Sequence, residues 1–186
     1  MKLARELLTH IPERPPKPRK EGLTMVMDKG LSLREAEDFA EVGSAYVDFV
    51  KLGFGTSVIT PNVEKKIKTY HDAGMTVYFG GTLFEAFIIR GMYTGYVDLL
   101  KNAGITMVEI SDGSYEFDHS EKLNYIRELS REFTVISEVG SKKKNIIYTP
   151  AQWVEMMKAD LEAGSVKVIA EAGESGTIGI YNADGS

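Results

Sequence analysis

A glycine followed by a short apolar run recurs along this chain at intervals of about 30 residues. The recurring glycines are Gly43, Gly74, Gly104 and Gly164. The doubled interval after Gly104 contains a fifth apolar run, Thr134–Val139, and a sixth, Leu23–Met27, opens the series. A strand and a helix joined by short loops occupy about that length. The pattern therefore predicts six strand–helix units in succession.

The segments between these runs carry helix-start signals. Ser32 and Glu35 have the spacing of a capping box. Thr60 and Thr149 each precede a proline, an order that places an N-cap residue before a first-turn proline. We therefore predict helices that begin at these three positions.

Alternating strands and helices leave two architectures open, a doubly wound sheet and a (β/α)8 barrel. The first strand–helix turn reads Asp28-Lys29-Gly30 and lacks the glycine-rich dinucleotide fingerprint. Polar residues follow the end of every predicted strand, which indicates loops that share one mouth. We therefore predict an α/β fold of the (β/α)8 TIM-barrel type, with only about six βα units in this chain. A complete barrel runs to about 250 residues, whereas this chain has 186.

Composition excludes several classes of function. The chain has no cysteine, so disulfides, thiolate nucleophiles and zinc–thiolate or iron–sulfur sites are ruled out. Its net charge of −5 argues against nucleic acid as a partner. No apolar run approaches the roughly 18–20 residues that span a bilayer, and the N-terminus does not read as a signal peptide. We expect a cytoplasmic protein that binds small molecules and no membrane.

Residues 1–22 differ from the rest of the chain. They contain four prolines and several basic residues, which disfavour a regular helix. We predict a Pro-rich basic arm over residues 1–22 that lies on a single barrel domain formed by residues 23–186. A proline-binding partner is the less favoured alternative.

The clearest strand end is the stretch Val47–Ser57. Its apolar run stops at Lys51, and a cation at the exit of a buried strand costs desolvation unless an anion meets it. Gly53 and Gly55 follow, where a backbone without Cβ atoms can approach a ligand closely. An ordinary glycine-rich turn with a solvated lysine is the alternative reading of this stretch.

Charged and hydroxyl residues collect at the other strand ends too, where barrels carry their active sites. Several carboxylates there would repel one another unless cations lie between them. Mg²⁺ suits such a place, because it takes oxygen ligands and keeps waters that phosphate can replace. Lys29, Lys51 and Lys142 remain for an anionic substrate or for proton transfer. Structural ion pairs are the alternative, which we expect for Glu85 and Glu174.

Six of these motifs, in this order, resemble those of phosphosulfolactate synthases. They read MVMDKGL, DFVKLGFGTS, YFGGTLFE, VEISDGS, SEVGSK and ESGTIGIY, and the resemblance covers residues 12–186. It implies a Mg²⁺-dependent barrel that adds sulfite to phosphoenolpyruvate, giving (2R)-phospho-3-sulfolactate on the way to coenzyme M. The family continues through two further strands, so we expect a C-terminally truncated barrel and a homo-oligomer.

The resemblance, together with the residue types, implies individual roles. Lys51 and Lys142 are the expected catalytic lysines, one as proton donor and the other as sulfite clamp, in an order that remains open. The expected metal ligands are Glu109, Glu138 and Glu171. The residues expected to contact the substrate are Asp28, Lys29, Gly53, Thr56, Ser57, Gly81, Ser111, Asp112, Gly140 and Ser175.

Two other classes of function remain open. Lys51 could form a Schiff base, as in barrel aldolases that need no metal. The chain could instead be a non-catalytic relative that acts as a stress or interaction protein, because Gly173 stands where the family carries an arginine.

Overall fold

A computed structural model describes residues 7–115, 117–141, 146–172 and 179–181. Strands and helices alternate through this part of the chain, and the predicted barrel-type α/β fold with about six βα units is confirmed. The strands are β1 (Met25–Asp28), β2 (Phe49–Leu52), β3 (Thr76–Phe79), β4 (Met107–Ile110), β5 (Thr134–Val139) and β6 (Lys167–Ala170). The helices are α1 (Leu33–Gly43), α2 (Val63–Asp72), α3 (Gly81–Ile88), α4 (Tyr93–Asn102), α5 (His119–Leu129) and α6 (Pro150–Ala163), and a 3₁₀ helix covers Gly53–Val58.

Two of the three predicted helix starts are confirmed. Ser32 caps α1 in a complete capping box, and Thr149 caps α6 ahead of its proline. Thr60 does not cap α2, because its hydroxyl donates to the Thr56 carbonyl at 2.7 Å. Helix α2 instead follows Asn62, which lies in the left-handed region.

The strands are parallel and form two three-stranded sheets, ordered β1-β2-β3 and β4-β5-β6. Strands β3 and β4 lie in contact between the two sheets. No helix in the described residues is long and apolar enough to cross a membrane.

The two faces of the strands have different partners, because successive strand residues point to opposite sides. Val50, Leu52 and Val77 belong to the main core, which packs between the strands and the helices. A smaller cluster around Tyr78 lies on the other, inner face. Lys51 pairs in register with Tyr78 and therefore lies on this inner face.

The N-terminal arm is attached at the amino ends of the strands. Lys17 Nζ donates to the carbonyl of Val47 at 2.6 Å. Asp48, which is buried just before β2, lies 3.1 Å from Arg19 Nε and 3.4 Å from Arg14. The arm is thus held by basic side chains at the end of the sheet opposite the predicted mouth.

Candidate active site

Three predicted site residues meet on the inner face of the strands. Lys51 Nζ lies 2.7 Å from Glu109 Oε1 and 3.0 Å from Glu138 Oε1, although these residues come from β2, β4 and β5. We call Lys51, Glu109 and Glu138 the Lys51 cluster. The absence of a side chain at Gly80 makes room for it, because a Cβ there would lie 2.9 Å from Lys51 Cε.

Glu109 is fully buried and contacts both the Lys51 ammonium and the backbone N–H of Gly81. Its Oε1 accepts from the Gly81 N–H at 2.6 Å, so the start of α3 faces this carboxylate. Its Oε2 is buried and accepts no hydrogen bond from the described residues. Burial and the neighbouring Glu138 raise the pKa of Glu109, and Lys51 opposes them.

Lys51 remains an ammonium in this setting. Burial lowers its pKa, but the carboxylates of Glu109 and Glu138 outweigh burial, and the pKa of Lys51 is raised. The cluster therefore holds a protonated amine, only 9% exposed, at the carboxyl end of the sheet. An anion bound here would meet a cation in surroundings where water screens little.

Asp28 does not join this cluster, which corrects the expectation of one shared mouth. It pairs in register with Leu52, one residue past Lys51, so its side chain points to the helix face. Its Oδ2 lies 2.9 Å from Lys66 Nζ and accepts from the Tyr70 hydroxyl at 2.9 Å. The backbone N–H groups of Gly30 and Leu31 donate to Oδ1. Asp28 thus ties the β1–α1 loop to α2.

Glu85 has a structural role, but its observed partners are hydrogen-bond donors and not the cation of the expected ion pair. Its carboxylate accepts from the Ser111 hydroxyl and from the backbone N–H groups of Ser114 and Tyr115. These hydrogen bonds hold the loop after β4 against α3. The hydroxyl of Ser111, which was predicted to contact substrate, donates one of these hydrogen bonds to Glu85.

Asp112 lies in a second buried charge network. Its Oδ1 is 3.4 Å from Lys122 Nζ, which is also 3.1 Å from Asp160 Oδ2 and donates to the backbone carbonyl of Glu138. His119 Nε2 lies 2.9 Å from Asp160 Oδ1. The network packs on the helix side of β5, so Asp112 is turned away from Lys51.

Two predicted substrate contacts line a cleft of about 520 Å³ formed by residues that follow β1 and β2. Lys29 and Thr56 line it, and Lys29 Nζ lies 5.4 Å from the centre of the exposed Phe54 ring. Gly53 is buried and does not line this cleft, and a Cβ there would lie 2.7 Å from the Met27 side chain. Ser57 lines a different depression, formed with α2 and α4.

Glu171 and Gly140 lie together at the ends of β6 and β5. A Cβ on Gly140 would come within 2.8 Å of Glu171 Cβ, and the Glu171 N–H donates to the Val139 carbonyl at 2.8 Å. Lys142 and Ser175 lie outside the described residues, as does Glu174. The roles predicted for all five stay predictions.

A cation is already present where the sequence predicts a metal. In the described part of the chain, no three or more His, Cys, Asp or Glu side chains are arranged to hold a metal ion. The charge between Glu109 and Glu138 is supplied by Lys51. The metal role of Glu109, Glu138 and Glu171 therefore remains a prediction.

Sequence reasoning missed several buried polar residues, among them Tyr78, Lys66 and Lys122. Each lysine occupies a helix position that belongs to the apolar face, Lys66 four residues before Tyr70 and Lys122 four before Ile126. A lysine on that face signals a buried acidic partner, which the structure supplies in both cases.

Comparison with known proteins gives one consistent match. A family model described as (2R)-phospho-3-sulfolactate synthase (ComA) matches residues 12–186. A phosphosulfolactate synthase of Bacillus subtilis (strain 168) is 40% identical over 177 residues, which cover 94% of this chain and 70% of that protein. The Methanothermobacter thermautotrophicus protein of the same name is 39% identical over 181 residues, with the same shares covered.

Solved structures are similar in fold. A 3-hexulose-6-phosphate synthase matches 82% of this chain and 67% of its own, with a TM-score of 0.52 and 15% identity. The carboxyl transferase domain of Rhizobium etli pyruvate carboxylase matches 80% of this chain and 27% of its own, with a TM-score of 0.55 and 12% identity. At these identities the likeness concerns the fold alone.

Proposed function

Because the chain belongs to the (2R)-phospho-3-sulfolactate synthase family, we propose that it adds sulfite to phosphoenolpyruvate at the Lys51 cluster, with Mg²⁺ as cofactor. The observation that carries this proposal is the buried ammonium of Lys51 between two carboxylates at the carboxyl ends of the strands. Both substrates are anions, and this cation lies at the end of the sheet where barrel enzymes bind their substrates.

The chemistry assigns a task to Lys51. The sulfur lone pair of sulfite attacks the methylene carbon of phosphoenolpyruvate, and the electrons of the double bond move to C2 and into the carboxylate. A proton must then reach one face of C2, which fixes the R configuration. The Lys51 ammonium can donate this proton and regain one from solvent, and general acid catalysis of this kind contributes about 10²–10⁴-fold.

The residues of the cluster are compatible with Mg²⁺. The buried Oε2 of Glu109 has no hydrogen-bond partner among the described residues, and carboxylate oxygens are the ligands this ion prefers. Mg²⁺ needs only one or two protein carboxylates when waters and substrate complete its shell. Glu109 and Glu138 would hold it, with Glu171 as the third predicted ligand. When bound, it would neutralise the substrate carboxylate and the negative charge that develops there.

The protonation of Lys51 favours this reaction over Schiff-base chemistry. A Schiff-base lysine attacks as a neutral amine, and such lysines have a lowered pKa. The pKa of Lys51 is raised, because burial is outweighed by Glu109 and Glu138. Borohydride in the presence of a keto acid would trap a covalent adduct only if the aldolase alternative holds.

Phosphoenolpyruvate is expected to bind more tightly with Mg²⁺ than with EDTA, by at least about tenfold in Kd, because the ion would offset repulsion between substrate and carboxylates. Glu109→Gln and Glu138→Gln should each remove most of that difference. Titration calorimetry measures both effects.

Glu132→Gln is the matched control, because it makes the same change of charge at a surface pair with Lys101. The Mg²⁺-dependent difference should persist in this variant. Equal affinity of the unaltered chain in Mg²⁺ and in EDTA would overturn the metal assignment.

A further inference from the structure

A hollow of about 320 Å³ lies between the N-terminal arm and the amino ends of β2 and β3, and we call it the arm cleft. The arm contributes Lys17 and Arg19 to its lining, and the starts of the two strands contribute Asp48 and Thr76. No residue of the Lys51 cluster lines it. A ligand held in the arm cleft would therefore not occupy the proposed active site.

Basic groups outnumber acidic groups around the arm cleft. Arg14 lies 3.4 Å from Asp48 Oδ2, and Arg19 Nε lies 3.1 Å from Asp48 Oδ1, so both oxygens of this buried carboxylate are engaged. Lys17 Nζ donates to two backbone carbonyls. Three cations thus lie around one carboxylate, which leaves an excess of two positive charges in a partly buried place.

The excess of positive charge acts on Lys17. Burial lowers the pKa of Lys17, Asp48 raises it, and the two neighbouring arginines lower it, so the pKa is lowered overall. Glu13 and Glu21, the acidic residues that the arm has between positions 7 and 22, do not line the arm cleft. A second anion beside Lys17 would oppose both burial and the repulsion between like charges.

Arg19 supplies a hydrogen-bond donor that the described residues do not use. Its side chain is only 2% exposed, and its Nη2 donates to the carbonyl of Ala45 at 2.9 Å. Its Nη1 is also buried, but it donates no hydrogen bond to the described residues. A buried donor in this state costs stability, because water cannot replace the missing acceptor. An oxyanion in the arm cleft would supply one, and the planar guanidinium suits the geometry of such ions.

We propose that the arm cleft is a second anion site, which binds a phosphate ion or the phosphoryl group of a small molecule between Lys17 and Arg19. The bound anion compensates the excess positive charge and accepts from the unused donor of Arg19. It also joins the arm to the amino ends of β2 and β3, and therefore stabilises the folded chain. The site lies at the end of the sheet opposite the Lys51 cluster and does not depend on the proposed function.

The test titrates the chain with inorganic phosphate, with chloride at the same ionic strength as the reference. We expect a Kd of about 1 mM or tighter by calorimetry, and a rise in Tm of about 3 °C or more at roughly 20 mM phosphate. Arg19→Gln and Lys17→Gln should each weaken phosphate binding by at least about tenfold, since each removes a charged hydrogen-bond donor. Lys17→Gln carries the test if Arg19→Gln does not fold.

Two exposed residues provide matched controls. Lys20→Gln makes the same change of charge as Lys17→Gln within the same arm, and Arg131→Gln makes the same change as Arg19→Gln beyond the end of α5. Neither Lys20 nor Arg131 lines the arm cleft. Phosphate affinity should stay within about threefold of the unaltered chain in both controls, a free-energy change below about 1 kcal/mol.

A change of Asp48 should act in the opposite direction. Asp48→Asn removes the carboxylate that Arg14 and Arg19 share, so Tm should fall in the absence of phosphate. Phosphate then becomes the counter-charge for all three cations. It should raise Tm by about 3 °C more in Asp48→Asn than in the unaltered chain. An equal or smaller rise would contradict an anion site built on excess positive charge.

A titration with glycerol 3-phosphate distinguishes the two sources of the anion. Tighter binding than that of inorganic phosphate would assign the site to the phosphoryl group of a small molecule, and binding that is equal or weaker would assign it to the free ion. Binding of neither, or equal weakening in Arg19→Gln and Arg131→Gln, would overturn the site. So would phosphate binding that is lost in Lys51→Met but kept in Arg19→Gln, because the ion would then lie at the Lys51 cluster.

Discussion

Lys51→Met is expected to lower kcat/KM for sulfite-dependent consumption of phosphoenolpyruvate by at least about 10²-fold per folded molecule. The reason is that Lys51 supplies both the cation for an anionic substrate and the proton for C2. Methionine also leaves Glu109 and Glu138 facing each other without a counter-charge, so stability should fall as well. The rate must therefore be divided by the folded fraction, measured by circular dichroism in the same sample.

Lys51→Arg separates the two roles of this side chain. A guanidinium keeps a positive charge between Glu109 and Glu138 but does not give up its proton in proteins. A proton-donating Lys51 predicts low activity in both variants and better stability in Lys51→Arg. Full turnover by the folded fraction of Lys51→Met would make Lys51 structural and would point to Lys142 as the catalytic lysine.

Lys122→Met is expected to reduce the free energy of unfolding by about 3–5 kcal/mol, the usual cost of breaking a buried ion pair from one side. Lys122 and Asp160 are both fully buried, and their charged atoms lie 3.1 Å apart. Asp112 and the carbonyl of Glu138 lose a partner in the same change. Urea denaturation near neutral pH measures the loss.

The loss should depend on pH in a defined direction. Burial raises the pKa of Asp160, but His119 and Lys122 outweigh it, and the pKa is lowered. The stabilisation from this carboxylate is present above the ordinary aspartate pKa of about 3.9 and is lost as pH falls through the lowered value. The difference between the unaltered chain and Lys122→Met should therefore be largest near neutral pH and shrink in acid.

Lys101→Met is the matched control for this prediction. Lys101 pairs with Glu132 on the surface, where both side chains are about half exposed. This substitution should cost less than about 1 kcal/mol. A similar loss in the two variants, or a loss in Lys122→Met that grows as pH falls, would contradict the account of the buried network.

Much of the fold could be predicted from the sequence, because the evidence for it is local and repeated. Recurring glycines precede four of the six strands, an apolar run marks each of the six, and every strand overlaps its run. The Lys51 cluster could also be anticipated, since parallel strands of a barrel bring their carboxyl ends to one mouth. Lys51, Glu109 and Glu138 lie within β2, β4 and β5, close to those ends.

Asp28 and Tyr78 show which features of the site could not be predicted from the sequence. Asp28 and Lys51 both stand at the ends of short strands, but the register pairs Asp28 with Leu52 and sends it to the opposite face. A shift of one residue reverses the side of the sheet, and the register is set by packing that the sequence does not display. Tyr78 was missed for a different reason, since an aromatic residue in an apolar strand is interpreted as an ordinary core residue.

The most direct test of the proposed reaction identifies the phosphorylated product and measures the incorporation of deuterium at C2 of the substrate. The chain would be incubated with phosphoenolpyruvate, sulfite and Mg²⁺ in deuterated water, and the products analysed by phosphorus magnetic resonance and mass spectrometry. We expect (2R)-phospho-3-sulfolactate that forms only with sulfite and carries one deuterium at C2. Phosphoenolpyruvate left unchanged by the folded chain, or consumed at the same rate without sulfite, would contradict the proposal.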